Sequence, residues 1–162
     1  MKYNPKQIKA DAEKLQPAAK QLFKKIRKSP KNLPETLFHK YHESVFMRID
    51  CLECANCCKN LGPLVTYNDL EKMASFLKTK PSFLLEKYFI TDEDGDIVFK
   101  SMPCPFLLPD NYCSIYEARP KACKEYPHTN HKKIVQILDI TLKNMETCPA
   151  VLEIVKGVVK EF

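Results

Sequence analysis

The chain has 162 residues, of which 44% are hydrophobic and 28% charged, and its formal net charge at pH 7 is +6. This length and composition indicate one folded domain and exclude a disordered chain. Only three residues are glycine, which excludes the glycine-rich loops that bind nucleotide phosphates or dinucleotides. The sequence has no signal-peptide pattern and no apolar stretch of roughly 18 residues, so we expect a cytoplasmic protein without a membrane span.

Two helices are predicted near the N-terminus. Asn4 is a suitable N-cap for a helix that ends near Leu15. Pro17 is expected to begin a second, amphipathic helix that continues to Ile26, because proline favours the first turn of a helix.

A third helix is predicted after Pro30 and Pro34, which are expected to interrupt the pattern. Its apolar residues recur at helical spacing: Leu37, Phe38, Tyr41, Val45 and Ile49. Residues 1–40 carry eleven Lys or Arg and three acidic residues, a net charge of +8. Residues 1–49 are therefore predicted to be a basic helical N-terminal extension. The partner of this extension is unknown. We favour a basic helical face that is exposed to solvent over one that binds an acidic protein, and the sequence contains no recognised nucleic-acid-binding module.

The middle of the chain predicts short elements. Thr66 and Asp69 form a capping box ahead of an apolar helical stripe. A proline begins a predicted helix over residues 81–88. The pair Asp94-Gly95 lies between two short runs rich in β-branched and aromatic residues, which predicts a β-hairpin.

The C-terminal part predicts turns followed by helices. Residues 102–127 are expected to form turns with one helical turn over 120–125. Residues 132–145 are ambiguous between helix and strand, and we favour helix. Pro149 begins a last predicted helix, whose apolar face carries Val151, Val155, Val158 and Phe162.

Eight cysteines carry the chemistry. Four form a C-x2-C-x2-C-C run and four follow downstream: Cys51, Cys54, Cys57, Cys58, Cys104, Cys113, Cys123 and Cys148. A CxxC turn lets two thiolates approach one ion, and thiolates suit zinc, iron and iron–sulfur clusters. Because the neighbours Cys57 and Cys58 point in different directions, one is expected to complete a first site, while the other reaches a second site or the core.

The spacing leaves the kind of site open. In a reducing compartment clustered cysteines indicate metal sites, with disulfides as the alternative. The run with a remote Cys-Pro is similar to the ferredoxin pattern for [4Fe–4S], whereas four thiolates also suit tetrahedral zinc. Among histidines, His128 is the candidate substitute ligand, and His39 and His42 are expected on the surface or in the core.

The motifs resemble the CxxCxxCC cysteine-cluster family (YkgJ-like), whose members are proposed to chelate zinc or iron. The likeness rests on the cysteine run, then Cys-Pro-Phe-Leu, then Cys-x-Ile-Tyr-x-x-Arg-Pro-x-x-Cys with Tyr-Pro after it, and spans about Cys51 to Pro149. It implies that all eight cysteines chelate metal. The family's usual glycine after the second cysteine is Ala55 here, so a left-handed turn would be strained. Its usual arginine after the third downstream cysteine is Lys124, which keeps the charge but loses forked hydrogen bonds.

Flagellin lysine N-methylases have a related cysteine domain, with an iron–sulfur cluster and S-adenosylmethionine implicated in methyl transfer. Those enzymes are longer, and this chain has no glycine-rich cofactor loop, so the resemblance concerns the metal domain. The alternative function is thus an iron–sulfur-dependent group-transfer enzyme that uses S-adenosylmethionine. Arg119 is expected to bond nearby carbonyls or thiolates and offset thiolate charge, and the tyrosines around it, Tyr112, Tyr116 and Tyr126, to pack at the metal.

Together these features predict a mainly α, small α+β fold: a single helical domain with loop-rich cysteine segments around one or two metal sites, and a short β-hairpin. Residues 50–162 are predicted to be the cysteine-cluster domain. The predicted function is metal binding, of zinc, iron or a [4Fe–4S] cluster, with a structural ion as the first hypothesis. A metal store or chaperone would need exposed, labile thiolates. No acid–base pair or Ser/His/Asp set supports a hydrolase.

Overall fold

A computed structural model describes residues 3–29 and 32–162 of the chain. These residues are mainly helical, at 60% helix, with eight α-helices and one two-stranded antiparallel sheet, which confirms the predicted mainly α, small α+β class. The helices are α1 (Pro5–Ile26), α2 (Asn32–Phe46), α3 (Asn56–Asn60), α4 (Tyr67–Phe76), α5 (Pro81–Tyr88), α6 (Lys121–Glu125), α7 (Leu138–Asn144) and α8 (Pro149–Glu161). The strands are β1 (Phe89–Thr91) and β2 (Ile97–Phe99).

The chain forms two compact units. Unit 1 comprises the chain up to Cys54 together with residues 127–162, and unit 2 comprises residues 55–126. The domain boundary that the sequence predicts between residues 49 and 50 stays a prediction. No helix in the described part of the chain is long and apolar enough to cross a membrane.

Helix α1 corrects one sequence prediction. Asn4 is its N-cap, as predicted, and its side chain accepts a hydrogen bond from the Lys6 backbone N–H at 3.0 Å. The predicted break at Pro17 is wrong, because the helix continues through this residue to Ile26. One apolar face is buried along its whole length: Ile8, Ala12, Ala19, Leu22, Phe23 and Ile26. Burial of this stripe outweighs the ~3 kcal/mol cost of a proline in a helix interior. Pro17 is exposed, so the backbone carbonyl that loses its hydrogen bond to the missing N–H can bond to water instead.

The core of unit 1 is helical. Helix α8 packs against α1 and α2, and α7 packs against α1. Gly157 of α8 lies directly against the Tyr41 ring of α2, where a Cβ atom would overlap the ring. Glu161 of α8 also links the two helices, because it accepts hydrogen bonds from Tyr41 Oη at 2.7 Å and Lys40 Nζ at 2.8 Å. The predicted third and last helices are thus confirmed; Pro34 lies in the first turn of α2, and Pro30 lies outside the described residues.

Unit 2 has a small core around α4, α5 and the hairpin. The predicted capping box is present, since Thr66 and Asp69 exchange hydrogen bonds between side chain and backbone. Strand β1 pairs with β2 in the register Phe89↔Phe99, and Gly95 in the turn has a φ of +83°, which favours glycine. The predicted helix over residues 81–88 and the helical turn near residue 120 are both confirmed.

Candidate metal centres

Unit 2 brings five cysteines to one region of its fold. Cys57 and Cys58 lie on the short helix α3, and Cys123 lies on α6. The Cys104 backbone N–H donates to the Cys58 carbonyl at 2.9 Å, which joins the downstream loop to α3. Cys113 is held by an antiparallel bridge to Leu107 in the same loop. The bond between Cys104 and Cys58 thus brings together cysteines that lie 46 positions apart in sequence.

The turn that begins α3 has the conformation that the sequence predicts to be strained. Ala55 has φ 48° and ψ 21°, in the left-handed region, and the residue is buried. A side chain with a Cβ atom costs roughly 1–2 kcal/mol there relative to glycine. The turn at Ala55 connects the CxxC segment to α3. The strained residue therefore lies between the pair Cys51 and Cys54 and the pair Cys57 and Cys58.

The pKa of the Cys58 thiol lies below those of Cys104, Cys113 and Cys123. A hydrogen bond with Cys57, whose Sγ lies 3.9 Å from the Cys58 Sγ, lowers the pKa of Cys58 to about 7, despite burial. The positive charges of Arg119 and Lys59 lower this pKa further. At neutral pH Cys58 is therefore thiolate to a large extent, and thiolate is the metal-binding form.

The other three thiols of this region are held neutral. Burial raises the pKa of Cys104 to about 11 and that of Cys123 to about 12. Burial also raises the pKa of Cys113. A second cause is shared, since the negative charge of Cys58 raises the pKa of each of them. Ionisation of Cys58 therefore opposes ionisation of the other three thiols.

Unit 1 contains a second, smaller set of thiols. Burial raises the pKa of Cys148 to about 11, and the charges of Cys51 and Cys54 raise it further. Cys51 is exposed and Cys54 is buried. Cys148 precedes α8, so the set joins the CxxC turn to the last helix of the same unit.

Arg119 lies beside the unit 2 thiols in the role expected for it. Its Nε donates to the Tyr116 carbonyl at 2.9 Å, and its guanidinium stacks on the Tyr116 ring at 3.5 Å. Tyr116 in turn stacks on Tyr112, with ring centroids 5.4 Å apart. The charge of Arg119 lowers the pKa values of Cys58, Cys113 and Cys123, which eases the ionisation that metal binding requires.

The donor chemistry fits zinc or iron, since cysteine thiolates bind both metals. In residues 3–29 and 32–162, no three Cys, His, Asp or Glu side chains are arranged as ligands of one ion. Ligation would therefore draw the sulfur atoms closer together. The candidate substitute ligand His128 belongs to unit 1, whereas Cys123 belongs to unit 2.

Sequence reasoning missed two features of these sites. Lys59 acts on Cys58 although it belongs to no motif, and its position directly after the cysteine run is the signal that could have indicated it. The distribution of the thiols between the two units has no signal in the spacing.

His39 and His42 lie on α2 of unit 1, where the His42 ring lies 2.8 Å from the Thr129 hydroxyl.

Comparisons with known proteins agree with the cysteine pattern. A family model described as "CxxCxxCC: Putative zinc- or iron-chelating domain" matches residues 50–149. An uncharacterized protein of Methanocaldococcus jannaschii is 33% identical over 82 residues, which are 49% of this chain and 44% of that protein's length. No solved structure matches the chain. Neither match supports the group-transfer alternative. The family match covers more than half of the chain and the cysteines from Cys51 to Cys148, so the chain belongs to the CxxCxxCC family of zinc- or iron-chelating domains.

Proposed function

We propose that this protein binds two metal ions, zinc or iron, through cysteine thiolates. The first ion is held in unit 2 by one set of four cysteines, Cys58, Cys104, Cys113 and Cys123. The second is held in unit 1 by Cys51, Cys54 and Cys148. Cys57, the eighth cysteine, lies beside Cys58 and is not among the seven ligands of the two proposed sites.

The observation that carries this proposal is the approach of the cysteine segments: the Cys104 backbone N–H donates to the Cys58 carbonyl at 2.9 Å, and the Sγ atoms of Cys57 and Cys58 lie 3.9 Å apart. Each downstream thiol of unit 2 has its pKa raised by Cys58, and Cys148 has its pKa raised by Cys51 and Cys54. Buried thiols that repel one another when ionised are stabilised by a divalent cation, which lowers their pKa values and replaces repulsion by attraction. Four thiolates around a divalent ion carry a net charge of −2, which Arg119 partly offsets.

A structural role for both ions follows from the segments they would join. The unit 2 set links α3 to a loop and to α6, and the unit 1 set links the CxxC turn to the start of α8. Cross-links between distant segments stabilise a fold by constraining the unfolded chain. We therefore propose that metal binding contributes directly to the stability of each unit.

Thiolates of this kind require a reducing compartment. The proposal therefore includes a cytoplasmic location. An acidic protein partner for the basic residues of α1 stays a prediction, as does any use of S-adenosylmethionine.

The test is the metal content of the chain purified without oxygen, measured by elemental analysis together with its visible absorption spectrum. We expect about two ions of zinc or iron per chain and loss of cooperative unfolding after chelation. Iron with inorganic sulfide and absorption near ~400 nm would identify a [4Fe–4S] cluster. A chain that folds normally with neither metal would contradict the proposal.

A further inference from the structure

A basic cleft lies in unit 2, between α4 and the segment that leads into α6. Its volume is about 190 Å³, and no cysteine lines it. Four of its lining side chains are basic: Lys72, Arg119, Lys121 and Lys124. Two are acidic, Asp69 and Glu125, so the lining carries a formal net charge of +2.

Both acidic side chains are already engaged. The Thr66 backbone N–H and hydroxyl donate to Asp69 Oδ2 at 3.0 and 2.7 Å, and the Lys121 backbone N–H donates to Oδ1 at 3.0 Å. Burial raises the pKa of Asp69, but these bonds and the charge of Lys72 lower it overall, so the carboxylate stays ionised. Glu125 pairs with Lys121 Nζ at 3.7 Å. The acidic groups thus belong to the framework of the cleft.

Three cations of the cleft form no ion pair with a described residue, although the charge of Lys72 acts on the Asp69 carboxylate. In the part of the chain that the structure describes, no Asp or Glu lies within ion-pair distance of Lys72, Arg119 or Lys124. Lys124 Nζ donates one hydrogen bond, to the Glu117 carbonyl at 3.1 Å, and keeps two further N–H donors. Among the described residues Arg119 donates a hydrogen bond through its Nε, and its plane is fixed by stacking on Tyr116. Its terminal N–H groups remain as a rigid fork.

The size of the cleft limits the ligand. A volume of about 190 Å³ is about six times the ~30 Å³ that one water molecule occupies in the liquid. This space accommodates a tetrahedral oxyanion with a short substituent, and it is smaller than the ~300 Å³ or more of pockets for drug-sized ligands. The net charge of +2 favours a dianion over a singly charged carboxylate, and an arginine fork matches phosphate oxygens.

We propose that this cleft binds a phosphate-class oxyanion, either inorganic phosphate or the phosphate group of a small monoester. Lys72 and Lys124 would neutralise its charge, and Arg119 would bind two of its oxygens. The proposal does not depend on metal in the cysteine sites, although Arg119 faces both regions.

The test is calorimetric titration of the reduced full-length chain with inorganic phosphate at low ionic strength, with sodium chloride of equal ionic strength as the blank. The cleft variant combines Lys72→Gln with Lys124→Gln. A matched control combines Lys78→Gln with Lys80→Gln, which removes the same charge from exposed positions of unit 2 outside the cleft. Circular dichroism of both variants checks that they fold.

We expect saturable binding by the unchanged chain, a loss of at least about tenfold in the cleft variant and less than about twofold in the control. Equal loss in the two variants, or no saturable binding by the unchanged chain, would overturn the proposal. If the cleft variant fails to fold, amide chemical shifts of the unchanged chain decide the matter, because phosphate must then shift residues of the cleft. Glycerol phosphate as a second titrant distinguishes the two sources, since tighter binding of this ester assigns the cleft to monoesters.

Discussion

Among the cysteines of unit 2, Cys58 has surroundings unlike those of its neighbours. Its pKa is lowered to about 7 by the hydrogen bond with Cys57 and by nearby positive charges, whereas burial raises the pKa of Cys104 and Cys123 to about 11 and about 12. At neutral pH Cys58 is therefore ionised to a greater extent than Cys104 or Cys123, and it can bind a cation before they do. The bound cation then favours ionisation of the remaining thiols.

Replacement of Arg119 tests the electrostatic part of this account. Arg119→Gln removes a positive charge near Cys58, so the pKa of Cys58 should rise by up to about one unit in the metal-free chain. The pH dependence of alkylation at Cys58, followed by mass spectrometry, measures this change. Arg119→Lys keeps the charge and should shift the pKa less. An unchanged alkylation profile in Arg119→Gln would show that its charge does not reach this thiol.

Ala55 offers a test of backbone strain. Its φ of 48° lies in the left-handed region, so Ala55→Gly should raise the free energy of unfolding by about 1 kcal/mol. Ala12→Gly, in the interior of helix α1, serves as the control and should lower it by about 1 kcal/mol. Urea denaturation at a fixed metal content measures both values. Destabilisation of similar size in both variants would argue against strain at Ala55.

At the scale of elements, the contact between α2 and α8 depends on a missing side chain. Gly157 allows α8 to lie against the Tyr41 ring, and Glu161 then accepts hydrogen bonds from Tyr41 and Lys40. Glycine in a helix interior costs roughly 0.8–1 kcal/mol relative to alanine. Close packing of the two helices therefore outweighs helix propensity at this position.

Gly157→Ala should destabilise the protein although alanine favours helix. The added Cβ overlaps the Tyr41 ring, and overpacking of this kind costs about 1–3 kcal/mol. Gly62→Ala is the matched control, because no atom lies within 4 Å of the position of its Cβ. Thermal and urea unfolding measure both variants. A Gly157→Ala chain as stable as the Gly62→Ala chain would show that the helices do not approach this closely.

The elements also show what the sequence could and could not predict. The capping box at Thr66, the hairpin turn at Gly95 and the prolines that begin α5 and α8 are local signals, so these elements were predictable. Pro17 misled the prediction because its local preference is overridden by a buried stripe on both sides of it. The left-handed turn at Ala55 was inferred from the family resemblance, because alanine itself gives no such signal.

For the whole molecule, the candidate sites depend on contacts between segments far apart in the sequence. The spacing of the cysteines indicates metal binding, but it does not say which upstream thiol meets which downstream thiol. We propose that Cys58 shares a site with the three middle cysteines and Cys148 with Cys51 and Cys54, since the charges of these thiols act on one another's pKa values. Such grouping depends on the packing of loops and helices, which leaves no local pattern.

Proton release should accompany metal binding to the whole chain. At pH 7 Cys58, with a pKa of about 7, is half ionised, while Cys104, Cys113 and Cys123 have raised pKa values and are protonated. Zinc binding to these four as thiolates should release between three and four protons in unit 2, so affinity should rise steeply with pH. Calorimetry of the Cys148→Ser chain in buffers of different ionisation enthalpy isolates this site. Release of one proton or fewer would contradict ligation by all four thiols.

The most direct test of two separate metal sites is the metal content of cysteine variants, measured by native mass spectrometry without oxygen. Cys58→Ser and Cys123→Ser should each lose one ion, and the double variant should lose no more than either, because we propose that both residues bind the same ion. Cys123→Ser combined with Cys148→Ser should lose both ions. Loss of two ions in the first double variant and of one ion in the second would contradict the proposed division of the cysteines.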